Sequence, residues 1–207
     1  MKKLESTLTN MVMVLVAVAV ITSALLAWIN HATEEPIRKQ NEMALANGIM
    51  EVMGTTSLTV TSDDTLRKSI DGKEQTFVVH KTADKNGGFL GAAVESTTMG
   101  FGGDLKVLVG FDTNGKVLGY TLLQASETPG LGAKADKWFQ KDGKGSIIGK
   151  TCEQPLTVNK DGGDVEAITA STITSRAFLK AVNQAYQVYA HQDKCQDGNS
   201  GATGKAH

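Results

Sequence analysis

The hydrophobic pattern of this chain begins with one long uncharged segment. Residues 11–29 read MVMVLVAVAVITSALLAWI and contain no charged side chain. A helix of this length spans roughly 28 Å, which matches the hydrocarbon thickness of a bilayer. The pattern therefore predicts a transmembrane helix within residues 1–32. A cleaved signal peptide is the alternative, but this apolar run is longer than usual and no small-x-small cleavage site ends it.

The charges around the apolar segment predict its orientation. Lys2 and Lys3 precede it, and basic residues favour the cytoplasmic side of a membrane. We therefore expect a single-pass protein of the inner (cytoplasmic) membrane, with its C-terminal bulk on the external or periplasmic side. Residues 33–55 predict a connecting helix with Thr33 as its N-cap and Pro36 near its start.

The middle of the chain has the composition of strands. Four segments rich in β-branched and aromatic residues are separated by turn signals: 76–82, 89–96, 105–112 and 116–123. The last two are joined through Asn114-Gly115, a typical hairpin turn. A short helix is predicted over 63–70, helical turns over 134–140, and extended pieces at 156–158 and 165–168. This order predicts an α+β domain over 56–191, with an antiparallel sheet flanked by helices.

An amphipathic helix is predicted near the end of the chain. Its apolar positions recur with a period of 3.6 residues: Ala177, Phe178, Ala181, Val182, Ala185, Tyr186, Val188 and Tyr189. The preceding residues 168–176 read ITASTITSR. One interpretation is that their hydroxyls only cap the helix. The other is that the free N–H groups and the dipole at the helix N-terminus bind a phosphate. Residues 192–207 are polar and Gly-rich and predict a loose tail.

Composition and charge exclude several classes of protein. Hydrophobic residues make up 41% and charged residues 21% of the chain, which argues against disorder. The net charge of −1 argues against a nucleic-acid partner, which would need a basic face. The two cysteines, Cys152 and Cys195, can pair in an oxidising compartment, and their spacing does not match a metal site. The four histidines are scattered (31, 80, 191 and 207), which predicts surface positions or local packing and no acid–base pair.

A glycine-rich turn stands between the strands and the last helix. Residues 127–132 read ETPGLG, with two glycines around Leu131 after a proline. Such a turn has little side-chain bulk, so a flat ring can lie against it. An ordinary Pro-Gly turn is the alternative.

Taken in order, these features resemble a known family. The apolar helix, Gly100-Phe101-Gly102-Gly103, the hairpin, ETPGLG and the segment TASTITSRA at 169–177 are similar to the G subunits of Rnf electron-transport complexes. The C subunits of sodium-translocating NADH:quinone reductases share the same FMN-binding domain, but the short chain and the Gly-Phe-Gly-Gly element favour the Rnf type. The resemblance implies an electron-carrying subunit, with no catalytic or metal-binding residue of its own, that works with other subunits of an ion-translocating ferredoxin:NAD oxidoreductase.

The resemblance also implies a cofactor and its attachment point. In this family FMN is joined through its phosphate to a threonine hydroxyl by a flavin transferase that uses FAD. The attachment pattern, roughly Asp-x-x-Ser/Thr-Gly-Ala-Thr, is matched with three changes by residues 166–172, and Thr172 would then be the acceptor. The implied site contains Thr172, the nearby hydroxyls Ser171, Thr174 and Ser175, and the ring-lining residues Thr128, Gly130, Leu131 and Gly132.

Two alternatives stay open at this point. Residues 197–203, DGNSGAT, match the attachment pattern more closely and would place the flavin on Thr203. No apolar helix follows that match and no hydrophobic residue there can shelter a ring, so Thr172 is the favoured acceptor. The alternative from a different class is a cofactor-free, membrane-anchored binding or sensor domain, in which the threonines cap a helix and the glycines form turns.

Overall fold

A computed structural model describes residues 8–55, 57–70, 73–85 and 87–197 of the chain. Within these ranges three helices and five strands follow one another, with single 3-10 turns at Gly132–Lys134 and Asn159–Asp161. In chain order they are α1 (Leu8–Met53), β1 (Leu58–Ile70), β2 (Lys73–Asp84), β3 (Phe89–Met99), β4 (Asp104–Asp112), β5 (Val117–Ala125), α2 (Ala135–Trp138) and α3 (Thr172–Asp197).

Helix α1 is continuous across residues 32 and 33, where the predicted transmembrane helix was expected to end and the predicted connecting helix to begin. It is long and apolar enough to cross a membrane, and its apolar stretch is exposed. Thr33 lies inside α1 and donates a hydrogen bond to the carbonyl oxygen of Ile29 (2.9 Å), so the prediction of an N-cap there is wrong. A threonine can bond back to the preceding turn in this way, so the helix needs no break at Thr33. Lys2 and Lys3 lie outside the described residues.

The chain divides into two compact units, one ending at Ala44 and the other beginning at Leu45. In the second unit the strands form one antiparallel sheet in the order β1-β2-β3-β4-β5. This architecture confirms the predicted α+β class and the four predicted strands. It also confirms the β4–β5 hairpin, in which Phe111 pairs with Val117 and Gly115 has a φ of 74°.

One strand differs from the sequence prediction. Residues 63–70, predicted as a short helix, belong to β1, which pairs with β2 from Leu58 to Ile70. The stretch has polar residues at most positions and only a weak strand pattern. Pairing with a neighbouring strand decides its conformation, because β-propensity depends strongly on tertiary context.

The sheet is covered on both faces by helices. On one face α3 packs over a large apolar core, which confirms its predicted amphipathic pattern. On the other face the last turns of α1 pack through Ile49, Val52 and Met53. Gly110 and Gly119 are partners on β4 and β5, and a Cβ on either would lie 2.7 or 2.8 Å from the carbonyl oxygen of Val52. This glycine pair therefore lets the α1 backbone approach the sheet closely.

The C-terminal part of the chain differs from the predicted loose tail. Helix α3 continues to Asp197, so residues 192–197 are helical. Residues 198–207, which include Thr203, lie outside the described residues. The extended pieces around 158 and 165 form an isolated parallel bridge between Val158 and Val165. Helical turns were predicted over 134–140, and α2 with its preceding 3-10 turn confirms them.

One further sequence expectation is corrected. His80 is buried and its two ring nitrogens contact Asp63 (2.7 Å) and Glu95 (3.0 Å), so it does have acidic partners. These partners come from other strands and could not be identified from spacing. The Cys152 thiol is free and buried, and burial raises its pKa to about 12. The side chain of Cys195 lies outside the described residues.

Candidate functional site

The candidate site is built around the start of α3. Thr172 is the first residue of this helix, and the chain enters it through a tight turn in which the Ser171 N–H donates to the Ile168 carbonyl oxygen (3.0 Å). Ala170 in this turn has a φ of 61° and is the only non-glycine residue with positive φ in the part of the chain that the structure describes. An L-residue pays roughly 1–2 kcal/mol for this conformation. The turn thus has a fixed and strained shape immediately before Thr172.

Three buried hydroxyls hold this turn against the helix. Ser175 Oγ accepts a hydrogen bond from the Ile168 N–H and donates one to the Ser171 carbonyl oxygen, both at 2.9 Å. Ser171 Oγ donates to Thr174 Oγ1 at 2.9 Å. The structure therefore brings Ser171, Thr174 and Ser175 together as a network inside the protein. Thr172 is half-buried and lies outside that network.

The carboxylate of Glu127 links three separate segments of the site. Its Oε2 accepts a hydrogen bond from Thr174 Oγ1 (3.0 Å), and its Oε1 accepts one from the Phe101 N–H (2.8 Å). A Cβ at Gly132 would lie 2.3 Å from Oε2, and one at Gly100 would lie 2.1 Å from Oε1. A side chain at either glycine would therefore displace the carboxylate from this position. Sequence reasoning missed Glu127 as a site residue, although it is the single acid in an otherwise small and uncharged motif.

The Pro-Gly turn presents an exposed surface beside α3. Thr128, Gly130 and Leu131 are exposed, and the Leu131 N–H donates to the Thr128 carbonyl oxygen (3.1 Å). Gly130 has a φ of 77° and open space where a side chain would be. Gly132 is buried behind the turn, where a Cβ would lie 2.8 Å from Thr174 Oγ1. The structure therefore places three of the four predicted ring-lining residues on the surface and the fourth against the α3 network.

The surroundings of Thr172 are suited to an anion. Lys160 Nζ donates to Thr172 Oγ1 at 3.0 Å, and Lys160 forms no ion pair in the described ranges. The neighbouring Arg176 is engaged by Asp161 through two hydrogen bonds (2.7 and 2.6 Å), which lower the pKa of Asp161 and raise the pKa of Arg176. The first N–H groups of a helix have no acceptor within the helix, so they can bind a negative group there.

Apolar side chains are exposed around the same place. Phe101 is 68% exposed, Ile173 is 54% exposed and Leu131 is 41% exposed. Phe101 and Leu131 belong to the segments that Glu127 joins to α3, and Ile173 follows Thr172 directly. A phosphate at Thr172 together with an attached flat ring therefore fits the donors and the apolar surface that these residues provide.

Comparison with known proteins agrees with this arrangement. Residues 100–187 match the FMN-binding domain family, and this span contains all the site residues described above. The solved structure of Shewanella oneidensis NqrC superposes with a TM-score of 0.52 at 14% identity, covering 76% of this chain and 99% of that one. The fold and the family match thus define an FMN-binding domain.

The relatives identify the family more closely. The G subunit of the ion-translocating oxidoreductase complex of Shewanella baltica is 32% identical, covering 81% of this chain and 82% of its own. The G subunit of the corresponding complex of Vibrio parahaemolyticus is 33% identical over 84% of both chains. The G subunit of the Na(+)-translocating ferredoxin:NAD(+) oxidoreductase complex of Acetobacterium woodii is 37% identical over 53% of this chain and 54% of its own. The chain belongs to the family of G subunits of ion-translocating oxidoreductase complexes.

Proposed function

We propose that this protein is a membrane-anchored subunit that relays electrons through FMN joined covalently to Thr172. The observation that carries the proposal is the difference between Thr172 and its neighbours. Ser171, Thr174 and Ser175 are buried and joined by hydrogen bonds. Thr172 is half-buried, and its hydroxyl accepts a hydrogen bond from the exposed Lys160. Among the hydroxyl residues of 171–175, Thr172 is therefore the one that an external flavin donor can reach.

The attachment fits the charges around Thr172. A flavin transferase using FAD would join the Thr172 oxygen to the phosphorus on the flavin side, with release of AMP and of the hydroxyl proton. The phosphodiester product keeps one negative charge. The helix N-terminus and Lys160 would stabilise that charge, and the rigid turn at Ala170 would hold its position.

The Pro-Gly turn would hold the ring. Thr128, Gly130 and Leu131 offer an exposed surface next to α3, and Gly132 lets that turn lie against Glu127 and Thr174. Bound FMN supplies the electron-carrying chemistry. The protein needs to orient the ring and set its surroundings, and no general acid or base is required of it.

The membrane location is supported by α1 and by the family. Helix α1 has the length and composition of a membrane span, and the relatives are named as subunits of ion-translocating complexes. The basic residues Lys2 and Lys3 favour a cytoplasmic N-terminus, which would put the FMN-binding domain on the external or periplasmic side. Its partners would be the other subunits of a ferredoxin:NAD oxidoreductase complex.

Mass spectrometry tests this proposal directly. The full chain is produced together with a flavin transferase, and its intact mass and peptide masses are measured. We expect one FMN on the peptide that contains Thr172, absent in Thr172→Val and retained in Thr203→Val. Loss of the flavin in Thr203→Val, with retention in Thr172→Val, would contradict the assignment. A chain without flavin fluorescence after denaturation would favour the cofactor-free alternative.

A further inference from the structure

A loop rich in lysine follows the Pro-Gly turn. Residues 133–145 contain four lysines (134, 137, 141 and 144) and two aspartates, in a chain whose net charge is −1. All four lysines are exposed, and none of them forms an ion pair in the part of the chain that the structure describes. The loop is therefore a local region of positive charge on a slightly acidic protein.

This basic loop is held rigidly by its own contacts with the core. The Tyr120 hydroxyl donates to the Ala135 carbonyl oxygen (2.6 Å) and accepts from the Phe139 N–H (3.2 Å). Phe139 is buried and stacks on Phe178 of α3, with 4.3 Å between the ring centroids. The backbone that carries the lysines is thus fixed, and a partner binding it would not need to order it first.

The basic loop is also continuous with the flavin site on two sides. Its first residues follow Gly132, which lies against Glu127 and Thr174. In its middle the Trp138 indole N–H donates to the Glu166 carbonyl oxygen (2.8 Å), in the segment that leads to Thr172. Lys134, Lys137 and Lys144 line one groove of about 360 Å³ together with Trp138, Asp136 and Asp142, so cations outnumber anions in its lining.

We infer that the basic loop is the docking surface for an acidic face of a protein that exchanges electrons with the flavin. The inference rests on the proposed function, since it needs a flavin at Thr172. Opposite charges steer two proteins together and fix their orientation. A lysine-lined groove beside the flavin would therefore bring the partner's redox centre to the exposed edge of the site. The half-buried indole of Trp138 within the groove suits a protein partner, because tryptophan is enriched in protein interfaces.

The test uses the full chain in its purified complex, with a docking variant and a control variant. The docking variant carries Lys134→Gln, Lys137→Gln and Lys144→Gln. The control carries Lys85→Gln and Lys116→Gln, which lie in the β2–β3 and β4–β5 turns, at the end of the sheet away from Phe101. Covalent flavin is measured first by intact mass. Electron transfer between the flavin and the rest of the complex is then followed by stopped flow at several salt concentrations.

We expect transfer in the unaltered complex to slow as ionic strength rises. The docking variant should be about tenfold slower at low salt and nearly independent of salt, because the charges that orient the partner on the basic loop are gone. The control should behave like the unaltered protein. Equal rates and equal salt dependence in all three proteins would overturn the inference.

Two other results have defined meanings. If the docking variant transfers electrons normally but no longer binds vesicles containing phosphatidylglycerol, the basic loop meets a membrane, and the inference is wrong. If the unaltered chain carries no flavin on Thr172, the proposed function fails instead. The docking surface is then judged by co-purification of the other subunits at rising salt, which the docking variant should lose at a lower salt concentration than the control.

Discussion

The carboxylate of Glu127 accepts a hydrogen bond from the hydroxyl of Thr174, which lies 47 residues further along the chain. The same carboxylate accepts the Phe101 N–H, so one side chain joins the β3–β4 turn, the Pro-Gly turn and the start of α3. These are three of the features that carry the family resemblance. Glu127 is therefore the residue that assembles the candidate flavin site.

Replacing Glu127 should weaken the site. In Glu127→Ala the Phe101 N–H and the Thr174 hydroxyl both lose their acceptor, which we expect to cost about 1–3 kcal/mol of unfolding free energy. Urea unfolding of the flavin-loaded chain measures this loss, and the flavin spectrum should change at the same time. Glu74→Gln, at an exposed position on β2, serves as the control. An unchanged spectrum in Glu127→Ala would show that the carboxylate does not shape the flavin surroundings.

Ala170→Gly should stabilise the protein. Ala170 has a φ of 61°, a conformation that glycine adopts without steric cost. Relief of this strain, reduced by the greater freedom of glycine in the unfolded chain, should add about 0.5–1 kcal/mol. Thermal unfolding measures the gain. The control is Ala133→Gly, in the 3-10 turn after Leu131, where no positive φ is relieved, so this variant should be less stable than the unaltered protein. A gain of stability in both variants would contradict relief of strain at Ala170 as the cause.

Leu131→Ala tests the position of the flavin ring. Leu131 is 41% exposed, so its truncation should change stability little. If the ring lies on the Pro-Gly turn, FMN should stay attached while its redox potential and fluorescence change. Leu118→Ala is a matched control, because Leu118 is 39% exposed and lies at the far end of β5. Identical potentials in both variants and the unaltered protein would place the ring elsewhere.

The buried ion network of the sheet predicts a pH dependence of stability. Burial alone would lower the pKa of His80, but its hydrogen bonds with Glu95 and Asp63 outweigh burial and raise it above 6.5. Burial alone would raise the pKa of Glu95, but hydrogen bonds from His80 and Lys106 lower it below 4.5. The stability from His80 is therefore present below pH 6.5 and is lost as pH rises through its folded-state pKa. The stability from Glu95 is present above pH 4.5 and is lost as pH falls through its folded-state pKa.

Urea unfolding from pH 4 to pH 9 measures this dependence. The unaltered chain should be most stable in the mildly acidic range and should lose stability towards alkaline pH. In His80→Gln the alkaline loss should disappear. His191→Gln, at an exposed position of α3, should keep it. A persistent alkaline loss in His80→Gln would assign the pH dependence to another group.

The sequence by itself determined the parts of this protein that depend on local patterns. The uncharged apolar run at 11–29 predicts the first part of α1, a 3.6-residue period predicts α3, and Asn114-Gly115 predicts the β4–β5 turn. Each of these signals lies within a few residues, because helix periodicity and turn conformation are local properties. The candidate attachment at Thr172 also came from a local motif and its resemblance to a family.

Only the tertiary structure decided which distant residues meet. Residues 63–70 form a strand because β2 pairs with them. His80 has acidic partners because the sheet brings Asp63 and Glu95 of the neighbouring strands into contact with its ring. Glu127 reaches Thr174 only because the sheet and α3 pack against each other. Such contacts depend on the register of the strands and on how the helix lies across them. No local period encodes that information, so a carboxylate in a glycine-rich turn became recognisable as a site residue only in the folded chain.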